Sequence, residues 1–103
     1  MEVDLICISS NSCGICTLFK GTWRRLQQER PDWRYREFMI YSQADTRMMQ
    51  QLYGVDRVPH IAITVDEVRV GEIVGTRRLR DLIAEVDSIV ESNQSSGEII
   101  SEQ

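Results

Sequence analysis

The chain has 103 residues, which is enough for one compact domain and too few for two domains with independent hydrophobic cores. Its 42% hydrophobic and 27% charged content is typical of globular proteins and excludes a disordered or fibrous chain. A formal net charge of -4 gives no electrostatic reason to expect nucleic-acid binding, and no apolar run approaches the length of a membrane span. The N-terminal residues lack the features of a secretory signal. We therefore expect a cytoplasmic protein without membrane or nucleic-acid partners, and we expect it to be monomeric.

Hydrophobic periodicity predicts four strands and three helices in the order β-α-β-α-β-β-α. Short apolar runs rich in strand formers predict strands at residues 3–8, 35–40, 61–65 and 68–74. Apolar residues at helical spacing predict helices at residues 14–29, 43–53 and 76–91. Only Asp66 and Glu67 separate the last two strands, so these strands are expected to form an antiparallel hairpin.

This order of elements predicts an α/β fold with a four-stranded mixed sheet. The helix between the first two strands acts as a crossover and makes those strands parallel, and helices are expected on both faces of the sheet. Residues 1–91 are expected to form the domain. The mostly polar residues 92–103 are expected to form a flexible C-terminal tail.

Cys13 and Cys16 form a C-x-x-C motif with the spacers Gly14 and Ile15, at the point where the first strand gives way to a helix. Free N–H groups and the positive end of the helix dipole favour an anion at this position, and a cysteine thiolate is such an anion. Cys13 is therefore predicted to be the nucleophile. Cys16 lies in the first helical turn, from which its sulfur can attack a mixed disulfide, and it is predicted to be the resolving thiol.

Two other interpretations of the motif are a zinc site and a pair of unconnected core cysteines. A zinc site would need two more ligands, and the candidates Cys7 and His60 have no paired ligand spacing. Two unconnected core cysteines are the second alternative. The redox interpretation is favoured, and it requires neither a metal nor an organic cofactor. Cys7 is interpreted as a core residue, and His60 as a strand histidine whose nitrogens are satisfied by neighbours.

Pro59 cannot donate a ladder hydrogen bond and is therefore placed at the first position of the third strand. Together with the cysteine motif, the segment from Tyr53 to Pro59 and the Val74-Gly75 pair resemble the thioredoxin family over about residues 3 to 91. The resemblance implies a thioredoxin-like fold and a cis peptide between Val58 and Pro59 beside the cysteines. It also implies substrate binding at Val58, Pro59 and Gly75.

The chain departs from the thioredoxin pattern at three positions near the motif. Ser12 stands where thioredoxins usually have tryptophan, Ile15 where they have proline, and Cys7 where they have a buried acid. The chain also begins directly at the cysteine-bearing strand, so that it looks like a short thioredoxin or, as the near alternative, like a glutaredoxin. The residues Gly75-Thr76-Arg77-Arg78 replace the Gly-Gly and acidic pair expected of glutaredoxins.

The resemblance implies a thiol-disulfide oxidoreductase of the thioredoxin type, which reduces protein disulfides through the Cys13/Cys16 dithiol. Its expected partners are disulfide-containing proteins and an upstream thiol or flavoprotein reductase. Three alternative functions remain open at this point. One is a catalytically weak binding module with this fold, another is a glutaredoxin-like reductase that depends on glutathione, and the third is a dithiol oxidant or isomerase.

Overall fold

Four strands and three helices follow one another in the predicted order in a computed structural model that describes the backbone of residues 1–102 and the side chains of residues 1–93. The elements are β1 (Val3–Ser10), α1 (Gly14–Glu29), β2 (Arg34–Ile40), α2 (Gln43–Tyr53), β3 (His60–Val65), β4 (Val68–Val74) and α3 (Leu79–Glu102). Most boundaries agree with those predicted from the sequence. The exceptions are β1, which continues two residues further, β2 and β3, which each begin one residue earlier, and α3. Pro59, predicted at the first position of the third strand, directly precedes β3.

The strands form one mixed sheet in the order β2-β1-β3-β4. Strand β1 pairs with β2 in parallel and with β3 antiparallel, and β3 pairs with β4 antiparallel. The register aligns Cys7 with Glu37 of β2, and Ile8 with His60 of β3. The four-stranded mixed sheet predicted from the element order is therefore confirmed.

Alternate residues of the central strands face two different helical layers. Leu5 and Cys7 of β1 belong to a core shared with α1 and α3, whereas Ile6 and Ile8 pack on the side of α2. Burying one leucine or isoleucine side chain contributes about 1.5–3 kcal/mol, so the near-continuous apolar run of β1 holds both layers to the sheet. Helices cover both faces, as predicted.

Local geometry explains where the chain turns. Asp66 and Glu67 both have positive φ, as a two-residue turn that joins antiparallel strands requires. Ser42 caps α2 by accepting a hydrogen bond from the N–H of Asp45, and Gly54 ends this helix in the left-handed conformation. These features confirm the predicted hairpin and the predicted limits of the second helix.

The last helix begins at Leu79, three residues later than predicted, because the preceding residues turn the chain. Gly75 has a φ of +90°. The guanidinium of Arg77 donates hydrogen bonds to the carbonyls of Val74 and Thr76 and to the carboxylate of Glu85 in α3. Arg77 therefore binds the carbonyls of Val74 and Thr76 before the helix begins. The N–H of Leu82 donates the first hydrogen bond of the helix, to the carbonyl of Arg78.

At its other end, α3 continues beyond the predicted limit of Glu91 to Glu102. The division into a domain of residues 1–91 and a tail of residues 92–103 stays a prediction. The flexibility expected of the tail falls mainly on residues 94–103, which lie outside the residues whose side chains the structure describes. Within the described residues, no helix is long and apolar enough to cross a membrane.

Candidate active site

Cys13 lies in the connection between β1 and α1 and is the N-cap residue of α1. Its N–H donates to the carbonyl of Ser10 across 3.2 Å, which fixes the turn after the strand. Its backbone is extended, and its sulfur accepts a hydrogen bond of 3.1 Å from the N–H of Cys16. A cap side chain normally offers an oxygen to this amide, and here the thiol sulfur takes that place. A negative charge on the Cys13 sulfur is therefore stabilised by the helix terminus.

Cys16 lies one turn further along α1 and faces the interior. It is 2% exposed, whereas Cys13 is half-buried. Burial raises the pKa of the Cys16 thiol, and its hydrogen bond with Cys13 raises it further. A backbone hydrogen bond at Ser10 and a hydrogen bond from the Ser9 hydroxyl act in the opposite direction. The two sulfurs thus differ in access, and only Cys13 faces outward.

The segment before β3 approaches the Cys13 sulfur from the side. The carbonyl oxygen of Val58 lies 4.0 Å from that sulfur, the peptide between Val58 and Pro59 is cis, and Pro59 is fully buried. The N–H of Gly75 donates to the carbonyl of Pro59 across 2.9 Å. The structure therefore gathers the start of α1, the start of β3 and the end of β4 around one thiol.

No protein-family model and no curated protein matches the chain. Solved structures do match its fold. The oxidised mitochondrial thioredoxin 3 of Saccharomyces cerevisiae is 18% identical, with a TM-score of 0.70 over 84% of this chain and 78% of that chain. The short form of thioredoxin f from spinach chloroplast is 19% identical, with a TM-score of 0.72 over 85% and 76% of the two chains. A complex of ferredoxin:thioredoxin reductase with thioredoxin f2 also matches, at 20% identity and a TM-score of 0.71 over 84% and 76%.

The chain adopts the thioredoxin fold. The predicted fold class is thus confirmed, and the residues discussed above occupy one end of the thioredoxin-fold sheet. Cys13, Cys16, Val58, Pro59 and Gly75 are close together there, although they come from three separate stretches of sequence.

The residues that depart from the thioredoxin pattern shape the surface beside Cys13. Ser12 is exposed. Ile15 is 58% exposed, and Leu18, one turn further along α1, is 81% exposed. Ile15 and Leu18 line an open groove of about 310 Å³ together with Thr76 and Arg77. An apolar strip therefore extends from the thiol along the outer face of α1.

Cys7 lies beneath this surface in the core shared with α1. It is 5% exposed, as its interpretation as a core residue predicted. Burial raises the pKa of its thiol to about 12, and the charges of Glu37 and Cys16 act in the same direction. Within the described residues, no group of three or more His, Cys, Asp and Glu side chains is placed to hold a metal ion.

His60 follows Pro59 and is 1% exposed. The prediction that neighbours satisfy its ring nitrogens was wrong: neither nitrogen has a hydrogen-bond partner among the residues whose side chains the structure describes. Nε2 lies 3.1 Å from a carboxylate oxygen of Glu72, but the direction of approach does not suit a hydrogen bond. Burial lowers the pKa of His60, so the neutral ring is favoured. It lies on the side of the sheet that α2 covers, opposite Cys16.

Sequence reasoning missed Ser9, which follows Cys7 by two residues and therefore faces the same side of the sheet. On that side it lines a cavity with Cys16. The alternation of side chains along β1 is the signal that could have found it.

Proposed function

We propose that the protein is a thiol-disulfide oxidoreductase that reduces protein disulfides through Cys13 and Cys16. The observation that carries the proposal is the Cys13 sulfur at the start of α1, hydrogen-bonded to the Cys16 amide and lying beside Val58. This arrangement offers one accessible, stabilised nucleophile with a second thiol buried directly behind it.

In the first step, the Cys13 thiolate attacks one sulfur of a substrate disulfide. The substrate disulfide breaks, a mixed disulfide forms with Cys13, and the departing substrate thiolate takes up a proton. In the second step, the Cys16 thiolate attacks the Cys13 sulfur. The mixed disulfide breaks, the second substrate thiol is released, and Cys13 and Cys16 are left oxidised as a disulfide. Two electrons have then passed to the substrate, and an external thiol or flavoprotein reductase must return them.

The backbone at Val58 is proposed to bind the substrate. Its carbonyl lies next to the attacking sulfur, and an extended substrate segment can pair with this backbone as an added strand does. Gly75 supports the segment through its hydrogen bond to the Pro59 carbonyl.

Reduction of insulin, with dithiothreitol as the electron donor, tests the proposal. We expect the wild type to accelerate the reaction and Cys13→Ser to abolish the acceleration, while Cys7→Ala retains it because Cys7 is buried away from the surface. Equal rates for the wild type and Cys13→Ser would overturn the proposal. Replacing dithiothreitol with glutathione, or with a thioredoxin reductase and NADPH, distinguishes a glutaredoxin-like from a thioredoxin-like electron donor.

The exposed apolar pair Ile15 and Leu18 favours a second candidate, a binding module with little catalytic activity. In that case insulin reduction would be absent in the wild type, and a bound protein would be retained by Cys13→Ser as well as by the wild type.

A further inference from the structure

A cavity of about 250 Å³ lies behind Cys16, between α1 and strands β1 and β2. Its polar and sulfur-containing lining residues are Cys7, Ser9, Cys16, Lys20, Glu37 and Met39. The aromatic side chains of Phe19, Trp23 and Phe38 complete the lining. A water molecule occupies about 30 Å³, so this space has room for several, and its walls offer them hydrogen-bond partners. Lys20 and Glu37 are exposed and form its outer part. The buried resolving thiol therefore lines a cavity whose outer part carries charged side chains.

Ser9 supplies a hydroxyl to the lining of this cavity, which it shares with Cys7 and Cys16. Its Oγ lies 3.8 Å from the sulfur of Cys7. The Ser9 hydroxyl lowers the pKa of Cys16 through hydrogen bonding and opposes the effect of burial.

The chemistry of the second step requires such a group. Cys16 must lose its proton to attack the mixed disulfide, yet it is 2% exposed. Cys7 cannot accept that proton near neutral pH, because its own pKa is raised to about 12. Glu37, the carboxylate of the cavity, is exposed at the outer part and not in the interior.

We infer that Ser9 is a catalytic residue, whose hydroxyl donates a hydrogen bond to the Cys16 sulfur as negative charge develops there. The proton that Cys16 loses passes through the cavity to solvent near Lys20 and Glu37. Ser9 itself is neither oxidised nor consumed. The Cys16 thiolate then forms its bond to Cys13, and the substrate thiolate leaves and takes up a proton from solvent. The inference rests on the proposed function for its place in the reaction, but the effect on Cys16 is measurable without any substrate.

The test compares Ser9→Thr with Ser9→Val. Both side chains are β-branched, nearly equal in size and suited to a strand, and they differ in the hydroxyl. Ser9→Ala is a third variant that adds no bulk to the cavity. Thr64→Val is the matched control, since its hydroxyl bonds to the Asp4 carbonyl near the other end of β1. Circular dichroism and a thermal melt establish that each variant is folded.

The first measurement is alkylation of Cys16 by iodoacetamide in a Cys13→Ser background, followed by peptide mass spectrometry from about pH 6 to about pH 10. We expect Ser9→Val and Ser9→Ala to slow alkylation near neutral pH about tenfold, as suits the loss of one hydrogen bond to a charged group. Ser9→Thr and Thr64→Val should keep the rate of the background protein. Equal rates for Ser9→Thr and Ser9→Val would overturn the inference.

The second measurement uses proteins that retain Cys13, with Cys13 joined to 5-thio-2-nitrobenzoate as a mixed disulfide. It follows the decay of that mixed disulfide. Decay should be slower by a similar factor in Ser9→Val than in Ser9→Thr. Slower alkylation without any insulin reduction by the wild type would overturn the proposed function and leave the effect of Ser9 on Cys16 in place. Insulin reduction with unchanged Cys16 alkylation would overturn the role of Ser9 alone.

Discussion

The backbone N–H of Cys16 donates a hydrogen bond of 3.1 Å to the sulfur of Cys13, so the second cysteine of the motif stabilises the first through its amide. The same turn of helix leaves Cys16 2% exposed and Cys13 accessible. One local structure therefore supplies both a site for a thiolate and a difference in access. The proposed order, in which Cys13 attacks and Cys16 resolves, depends on this difference.

Replacing Cys16 with serine should stop the reaction at the mixed disulfide. Cys13 keeps the helix terminus and the position-16 amide that stabilise its thiolate, so it can still attack, but no thiol remains to release the substrate. We expect Cys13 of Cys16→Ser to attack an intact insulin disulfide and to keep one insulin chain as a mixed disulfide, measurable as a mass increase that dithiothreitol reverses. The Cys13→Ser/Cys16→Ser double variant is the control. An adduct of equal yield in that variant would place the reactive thiol elsewhere, at Cys7.

Replacing Leu18 with serine should weaken the turnover of a protein substrate without affecting stability. Leu18 is 81% exposed, so its removal costs little in the folded state, whereas a protein docked beside Cys13 would cover it. We expect KM for insulin to rise about fivefold, equivalent to about 1 kcal/mol of lost apolar contact. Rates with a small disulfide reagent should be unchanged. Leu52→Ser, on the exposed side of α2, is the control, and an equal rise in its KM would contradict a specific role for Leu18.

The element order and the position of the cysteines could be predicted because both depend on local sequence. The strand-to-helix junction before Cys13 follows from a short apolar run that gives way to helical periodicity, and Asp66-Glu67 is too short a connection for anything but a hairpin. The start of the last helix could not be predicted in this way. Arg77 binds carbonyls on the preceding turn and also Glu85, and side-chain contacts of this kind leave no periodic signal.

Ser9 and His60 were missed or misjudged for a related reason. The surroundings of each side chain depend on how another helix or strand packs against it. Ser9 matters because α1 leaves a cavity over β1. His60 has no hydrogen bond to any described side chain, because Glu72 approaches its ring from an unsuitable direction. Alternation along the strand gives the face of each residue, but it does not give the depth or the shape of the space there.

Replacing Arg30 with lysine should destabilise the protein. Its guanidinium forms two hydrogen bonds to Asp87 of α3, pairs with Asp32, and lies 3.9 Å from the centre of the Trp33 ring. A lysine ammonium cannot reproduce this set of planar contacts. We expect the free energy of unfolding in urea to fall by about 1–2 kcal/mol. Arg34→Lys is the control, because the Arg34 side chain is 66% exposed and pairs singly with Glu2 and Asp4, and it should change stability by less than about 0.5 kcal/mol. Equal effects of the two substitutions would contradict this account.

Cys7 should make the protein less stable at alkaline pH. Its pKa is raised to about 12 in the folded state, above the value of an exposed thiol, so the unfolded chain loses this proton first. The contribution is fully present below about pH 9 and is lost as the pH rises toward 12, at a limiting slope of about 1.4 kcal/mol per pH unit. Urea unfolding of the wild type and Cys7→Ala between about pH 8 and about pH 11 measures it. The difference in stability between the two should shrink as the pH rises, and a constant difference would contradict the raised pKa.

His60 should make the protein less stable at acid pH. Burial lowers its pKa in the folded state, so the unfolded chain binds the proton more tightly. Stability from the neutral ring is therefore present above the pKa of an exposed histidine and falls as the pH decreases through about 6. Glu72 approaches the ring and favours the protonated form, while Arg69, which binds Glu72, disfavours it. Urea unfolding of the wild type and His60→Leu between about pH 5 and about pH 8 should show a decline that the variant lacks. An equal decline in both proteins would mean that other groups, and not His60, determine the stability in this range.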